Sequence, residues 1–403
     1  MHRTPLTLGA FGLGCVGQGF LQLLDARGGT AAHVKHVCVK DRQRERHTFQ
    51  ANLTYHALDI LTDDEVQAIV ELTNDPALAL DVICHALRSG RNAITASKQV
   101  VASHLAELIA LQRSTGRALL YEASCAASIP VLHTLETHFS GERILAVEGI
   151  LNGTTNYILT QLEKGLSPAA ALQKAQELGF AERDPASDLR GDDARYKLTI
   201  LLAHAFGTVV KPHAIFRHGI EGLSELDLAF GRERGWVLRS VATAHVAENG
   251  ISAFVLPRFV PLDDPFAGVR DEYNAVRIQG AYSGTHFLQG KGAGSLPTGL
   301  AVLGDVQRLV QGGGYGYAKV NDESPRLAVD PAPIGIYARI PLTHQHELAR
   351  FSSIRSVDRT GGDLQVVGSI ALRTLHEMLG EGREGFQVIG LPHLRTTNDN
   401  GGA

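Results

Sequence analysis

An alternating apolar run at 6–11 predicts a strand, and it ends in Gly12-Leu13-Gly14-Cys15-Val16-Gly17. Apolar residues then recur at Val16, Phe20, Leu23 and Leu24, a helical spacing that Gly28-Gly29 ends. A second strand is predicted over 33–39. The same rhythm continues. Thr62-Asp63-Asp64-Glu65 has the form of a capping box opening a short helix. Then come a strand at 68–72, a helix at 76–87 closed by Gly90, a strand at 92–95, a helix capped by Ser103 that runs to Gly116, and a strand at 118–121. Strands and helices in this alternation predict an α/β fold, with a Rossmann-type, doubly wound parallel sheet over 1–132.

After that the rhythm changes. A strand at 143–151 breaks into Asn152-Gly153-Thr154-Thr155-Asn156-Tyr157, a polar turn entering a helix. Ser167-Pro168 caps a helix that stops at Gly179. An acidic stretch leads to a helix from about 192, whose run 198–206 is apolar enough to be buried. Strand-like segments at 236–246, 251–261, 275–281 and 285–288 predict a mixed or antiparallel sheet, so 133–296 is expected to be a second domain of α+β type. The Gly-rich tract from Gly290 to Thr298 opens a helix at 299–310, and 297–330 is expected to pack back onto the first domain. Past a Pro-containing linker at 331–333, the segments 334–340, 347–354, 364–367, 370–379 and 386–391 read as β-α-β-α-β. Residues 396–403 are expected to be a disordered tail.

Composition narrows the function classes. With 403 residues, 44% hydrophobic and 20% charged, the chain has the make-up of a soluble protein of two or three domains. A net charge of −4 leaves no basic surplus for nucleic acid or an anionic membrane. No run is long enough to span a bilayer and the N-terminus lacks a signal-peptide layout, so a cytoplasmic location is expected. Cys15, Cys38, Cys84 and Cys125 are scattered without metal-binding spacing and read as free thiols.

Two stretches carry chemistry. A GxGxxG between a strand and a helix is the setting a dinucleotide needs. Gly12 permits the tight turn, Gly14 lets the backbone approach a pyrophosphate, and Gly17 lets helix and strand pack closely. At the end of the second strand, Lys40 and Arg42 favour the 2′-phosphate of NADP, whereas Asp41 would suit the ribose of NAD. Ligands of such sheets sit beyond the carboxyl ends of the strands, where Asn74, Lys98 and Glu122 follow. The second stretch runs through Glu182, Asp184, Asp188 and Asp193 to Lys197. Asp193 and Lys197, four apart, share one helix face. On an open surface they would be an ordinary ion pair. At the head of a buried run, the lysine becomes a tunable proton donor. His344 and His346 lack a third ligand and read as solvated.

These residues resemble those of homoserine dehydrogenases, over about 6–309. The matching runs are Gly12 to Gly17, Thr95-Ala96-Ser97-Lys98, Glu122-Ala123-Ser124 through Ile129-Pro130, Gly149 to Tyr157, Glu182 to Lys197, and Gly292-Ala293-Gly294 with Pro297-Thr298. The resemblance implies interconversion of L-homoserine and L-aspartate 4-semialdehyde with a nicotinamide cofactor, and a homodimer or higher homo-oligomer built on a catalytic and dimerisation domain. It implies that Lys98 and Lys197 are catalytic with Asp193. It implies that Glu182, Asp188, Asn152, Gly153 and Thr154 bind substrate. The fingerprint residues Gly12, Leu13, Gly14, Cys15, Val16 and Gly17 would hold the cofactor, with Lys40, Asn74, Lys98 and Gly292. Glu122, Cys125, Ala127 and Ile129 would supply mostly backbone oxygens to a monovalent cation, sodium or potassium. The sequence departs from the family at Ser97, usually Asn, and at Ala127-Ser128, usually Gly-Gly. The order of elements in 331–395 is similar to small ACT-type regulatory domains. Two other readings stay open: another Rossmann amino-acid dehydrogenase, and a catalytically silent amino-acid sensor.

Overall fold

The computed structural model describes residues 5–28, 31–42, 50–328, 332–380 and 383–395. They form two compact units. The first comprises Met1–Arg143, Thr199–Pro212 and Gly290–Ser324; the second comprises Ile144–Leu198, His213–Gln289 and Pro325–Ala403. The expected tail at 396–403 lies outside the described residues.

Among its described residues the first unit holds six strands: β1 (Leu6–Phe11), β2 (Ala32–Cys38), β3 (Asn52–Thr54), β4 (Ala68–Glu71), β5 (Asn92–Thr95) and β6 (Leu119–Leu120). They pair in parallel in the order β3-β2-β1-β4-β5-β6. That order reverses at β1, as in dinucleotide-binding sheets, so β1 delivers the Gly-rich turn to the switch point. Residues 290–324 belong to this unit because glycines allow it. A Cβ on Gly19 would lie 2.2 Å from the Ser295 carbonyl oxygen, and one on Gly299 2.5 Å from the Phe20 nitrogen. Helix Cys15–Ala26 and helix Ser295–Val310 thus meet backbone to backbone.

Three local expectations are corrected here. The short helix is Leu58–Leu61, and Thr62 ends it by donating its hydroxyl to Leu58 O at 2.7 Å. Asp63, expected inside a helix, instead pairs with Lys35 at 2.7 Å. The helix expected to be capped by Ser103 starts at Lys98 and runs to Thr115, with a non-helical residue at His104. The sequence signal at Ser103 marked that kink. Finally, helix Ser295–Val310 begins four residues before its expected start at 299.

The second unit is built on one mixed sheet. Its strands are β7 (Ile144–Ile150), β8 (Phe216–Arg217), β9 (Trp236–Ala247), β10 (Gly250–Pro261), β11 (Tyr273–Gly280), β12 (Gly284–Lys291), β13 (Ile334–Pro341), β14 (Ser353–Thr360), β15 (Asp363–Ile370) and β16 (Gln387–Arg395). The order is β12-β11-β7-β9-β10-β16-β13-β15-β14, with β8 also pairing β10. The C-terminal segment therefore joins this sheet, through a parallel β10–β16 pairing at Arg258 and Gly390. Its four strands run β16-β13-β15-β14 with antiparallel pairings, the split-βαβ order. The expected helix at 347–354 is instead a 3-10 stretch, Leu342–Arg350, followed by strand β14. All eight residues of β14 are exposed on the sheet edge, so no apolar alternation announced it.

His218 ties β8 to the C-terminal segment. Its Nε2 accepts the Val388 N–H at 3.2 Å, which requires a neutral ring. Burial, helped by the Arg217 charge, lowers its pKa to about 4. A depressed histidine pKa contributes stability in full above the ordinary value near 6.5, and that contribution is lost as the pH falls through 6.5 towards 4. The loss is about 2–3 kcal/mol. Melting followed by the fluorescence of Trp236, the chain's one tryptophan, should fall between pH 7 and 4.5. His218→Asn should flatten that dependence; an unchanged slope in the variant would refute the assignment.

Candidate active site

Strand β7 delivers Leu151 and Asn152 to the start of helix Gly153–Glu163. Asn152 is the N-cap: it is extended, at φ −125° and ψ 113°, and its Oδ1 accepts the Thr155 N–H at 2.7 Å. Gly153 is required where it stands, since a Cβ there would lie 2.8 Å from the Glu272 carbonyl oxygen. The Thr154 hydroxyl donates to Phe180 O at 2.5 Å, and the Thr155 hydroxyl to Asp188 O at 3.0 Å.

Onto this corner come the short helix Ala186–Leu189 and the first turns of helix Asp192–Phe206. The Lys197 ammonium lies 2.7 Å from Asp193 Oδ2 and donates to Leu151 O at 2.6 Å. Asn152 Nδ2 donates to Asp188 Oδ1 at 2.7 Å and to Asp193 Oδ2 at 2.9 Å. Lys197 is 8% exposed and Asp193 4%. The pair is therefore not a solvated surface ion pair. An ammonium held by one carboxylate and one carbonyl, with little water, can carry or stabilise charge on a substrate oxygen. Asp192, next in line, is held by Arg195 at 2.6 Å and Arg217 at 2.7 Å, which fixes the start of the helix.

The expected substrate residues separate in the second unit. Asn152, Gly153, Asp188, Asp193 and Lys197 converge. Glu182 stands apart: its side chain is exposed, and its carbonyl accepts from Gln176 Nε2 at 3.1 Å.

In the first unit the Gly-rich turn has the form a pyrophosphate needs. Gly12 has φ +91°, and a Cβ there would lie 2.6 Å from Leu72 O. On Gly17 a Cβ would lie 2.6 Å from Gly12 O, the close strand–helix packing expected. On Gly14, the N-cap of helix Cys15–Ala26, a Cβ would meet nothing within 4 Å, and no side chain caps that helix. The open space and uncapped N–H groups fit a dinucleotide phosphate. Cys15 and Val16 start the helix, Leu13 is buried, and Gly292 is buried ahead of helix Ser295–Val310. Lys40 and Arg42 are exposed past β2, with the Arg42 guanidinium 4.4 Å above the Tyr55 ring. Asn74 is exposed, and Lys98 opens its helix half-buried.

One residue at this edge had gone unassigned. Glu71, fully buried at the end of β4, accepts from Thr73 N at 2.6 Å and from the Thr95 hydroxyl at 2.6 Å. Burial raises its pKa against those bonds. It ties the ends of β4 and β5 together. A lone glutamate closing an apolar strand was its only signal.

The turn after β6 carries the expected cation residues. Glu122 accepts Leu132 N–H at 2.9 Å and His133 N–H at 2.7 Å, and donates its own N–H to Asp305 Oδ2 at 2.9 Å. Burial pushes Glu122 up to about 7 and Asp305 well above its ordinary value. Ala127 takes φ +46° despite its Cβ, and Ser128 bonds Lys291 O through its N–H and hydroxyl. So the turn keeps a left-handed residue where the family has glycine. Of the backbone oxygens of Glu122, Cys125, Ala127 and Ile129 that a hard monovalent cation would take, those of Glu122 and Ile129 accept the Cys125 N–H at 3.2 Å and the Val131 N–H at 2.8 Å. Among the described residues no group of three or more His, Cys, Asp or Glu could hold a metal ion, and no helix is long and apolar enough to cross a membrane. The four cysteines form no disulfide.

Known proteins resemble this chain. A family model described as homoserine dehydrogenase matches residues 130–307, and one for its NAD-binding domain matches 12–122. A homoserine dehydrogenase of Bacillus subtilis is 32% identical over 87% of this chain and 84% of its own length. One of Pseudomonas aeruginosa is 30% identical over 92% and 87%. The crystal structure of a homoserine dehydrogenase from Thiobacillus denitrificans superposes with a TM-score of 0.82 at 29% identity, covering 96% of this chain and 98% of that one. With the dinucleotide turn and the buried Asp193–Lys197 pair in place, these likenesses make the chain a member of the homoserine dehydrogenase family, oxidoreductases of amino-acid biosynthesis.

Proposed function

We propose that the chain is an NADP-dependent homoserine dehydrogenase whose proton chemistry is run by Lys197. The observation that carries this is the Lys197 ammonium, buried between Asp193 and the Leu151 carbonyl. A nicotinamide cofactor held at the Gly12–Gly17 turn would supply or take up the hydride. The substrate oxygen meanwhile gains or loses a proton, and Lys197 serves it, as donor in one direction and acceptor in the other. Asp193 keeps the ammonium aimed. Lys98, in the first unit, is the second lysine assigned to the chemistry. Glu182, exposed and apart from that cluster, is assigned the substrate ammonium from the family resemblance alone, and Gly153 and Thr154 line the substrate with backbone groups.

Lys40 supports the preference for NADP, because a cation past β2 favours a 2′-phosphate. Glu122, Cys125, Ala127 and Ile129 hold a sodium or potassium ion that fixes the turn. The chain works as a homodimer in the cytoplasm, and residues 331–395 act as an ACT-type regulatory module.

The test is an absorbance assay at 340 nm with homoserine, run with NADP and NAD in parallel. Turnover is expected with both, more efficiently with NADP. Lys40→Ala should raise the KM for NADP about tenfold, the worth of one charge-assisted bond, and leave that for NAD within twofold. Equal effects on both cofactors would remove Lys40 from the phosphate; no turnover with either would end the reading.

A further inference from the structure

Asn152 was expected to meet the substrate. Both of its amide N–H groups are already engaged by carboxylates, and its oxygen is already engaged by the helix. Oδ1 accepts the Thr155 N–H, and Nδ2 donates to Asp188 and Asp193. The orientation is fixed by chemistry: a backbone N–H can only donate and a carboxylate can only accept, so oxygen faces the helix and nitrogen faces the acids. The residue is 7% exposed.

Capping alone does not call for asparagine. Serine and aspartate cap as well. Aspartate has no hydrogen to give the two acids, and serine, with one hydroxyl on a shorter stem, cannot bond both. What asparagine adds is a neutral bridge between two carboxylates that would otherwise repel across the corner. The bridge reaches the lysine directly. Asp193 Oδ2 receives both Asn152 Nδ2 and the Lys197 ammonium, while the neighbouring Leu151 carbonyl takes the ammonium from the other side. Residues 151 and 152 thus hold the lysine by main chain and, through Asp193, by side chain.

We infer that Asn152 is a positioning residue, which joins Asp188 to Asp193 and so aims the Lys197 ammonium without touching substrate. This rests on the reading of Lys197 as the proton-handling group.

The experiment compares Asn152→Ser, Asn152→Asp, Asp188→Asn and the exchanged pair Asn152→Asp with Asp188→Asn, each assayed for kcat, homoserine KM and melting temperature. Asn152→Ser keeps a capping oxygen and loses the bridge. It should lower kcat about 10- to 100-fold, the scale of a misplaced reacting group, with the homoserine KM within about twofold and melting within a few degrees. Asn152→Asp should lower kcat further by setting three carboxylates together. The exchanged pair restores one amide–carboxylate bond at the original charge and should regain at least fivefold over Asn152→Asp. A raised KM at constant kcat in Asn152→Ser would make Asn152 a substrate contact instead and overturn the inference. Unchanged kcat, or no recovery in the exchanged pair, would leave it a helix cap only and overturn it too. If the unmodified chain turns over homoserine and Lys197→Ala does so equally well, the reading of Lys197 fails first, which the Asn152 series alone cannot mimic.

Discussion

Replacing Lys197 with alanine is expected to lower kcat by about 10²–10⁴-fold, the usual weight of a positioned acid or base, while the cofactor still binds. Lys197 belongs to the second unit and the Gly-rich turn to the first, so the substitution leaves the dinucleotide contacts in place. The helix itself should survive. Its second half is fixed within the first unit, where His204 lies between Glu136 Oε1 at 2.6 Å and the Tyr121 hydroxyl at 2.9 Å. Alanine is also the best helix former. NADPH fluorescence titration should therefore give a Kd within about threefold of the unmodified chain. The lost ammonium leaves Asp193 with the Asn152 amide as its remaining partner among those described above, so some loss of stability is expected beside the loss of rate. Lys197→Arg is not a rescue: a planar guanidinium differs in shape from the ammonium that fits between Asp193 and Leu151 O, and it does not give up a proton. Turnover preserved in Lys197→Ala would remove the lysine from the chemistry.

What the sequence made legible follows from the range of the interactions. The Gly12–Gly17 turn could be read because its constraints are local: a left-handed φ at Gly12 and a close approach of Gly17 to Gly12 O. Asp193 and Lys197 could be read because helical geometry alone brings i and i+4 together. Asn152 could be recognised as a turn residue, but not as a bridge, because its carboxylate partners lie 36 and 41 residues away. The Leu151 carbonyl has no side-chain signature at all. Strand β14 escaped because its pattern SIRSVDRT is fully exposed on an edge, where burial imposes no alternation. The other C-terminal strands, β13, β15 and β16, were visible as strands. That β16 would pair with β10 was not, since one parallel pairing between distant segments leaves no local mark.

That attachment leads to the second large effect. Asp227→Ala should destabilise the second unit by about 3–5 kcal/mol, the cost of removing one partner from a buried ion pair. Asp227 is fully buried on helix Glu225–Arg232. It closes a capping box with Ser224 and accepts from the Ser224 N–H at 2.8 Å. It also accepts from the Tyr337 hydroxyl at 2.9 Å and pairs with Arg339 Nε at 3.1 Å, both on β13. Arg339 goes on to Asp363 on β15 at 3.2 Å and to Gly222 O. One carboxylate thus fastens the C-terminal strands to the helix before β9. The expected fall in melting temperature is about 10 °C at 2–4 °C per kcal/mol for a unit of this size, read by Trp236, whose ring lies 6.4 Å from that of Phe230 on the same helix. The cause can be separated from simple loss of contact. If the penalty comes from the stranded guanidinium, then Asp227→Ala with Arg339→Met, which removes both charges and keeps the volume of the long stem, should be more stable than Asp227→Ala alone by at least 1 kcal/mol, as buried pairs replaced by apolar groups behave. If the penalty comes from the lost cap, the double variant should melt no higher than the single one, and the C-terminal strands are then held by their apolar face, through Leu375, Met378 and Val388 against Phe254 and Leu256, rather than by the buried charge.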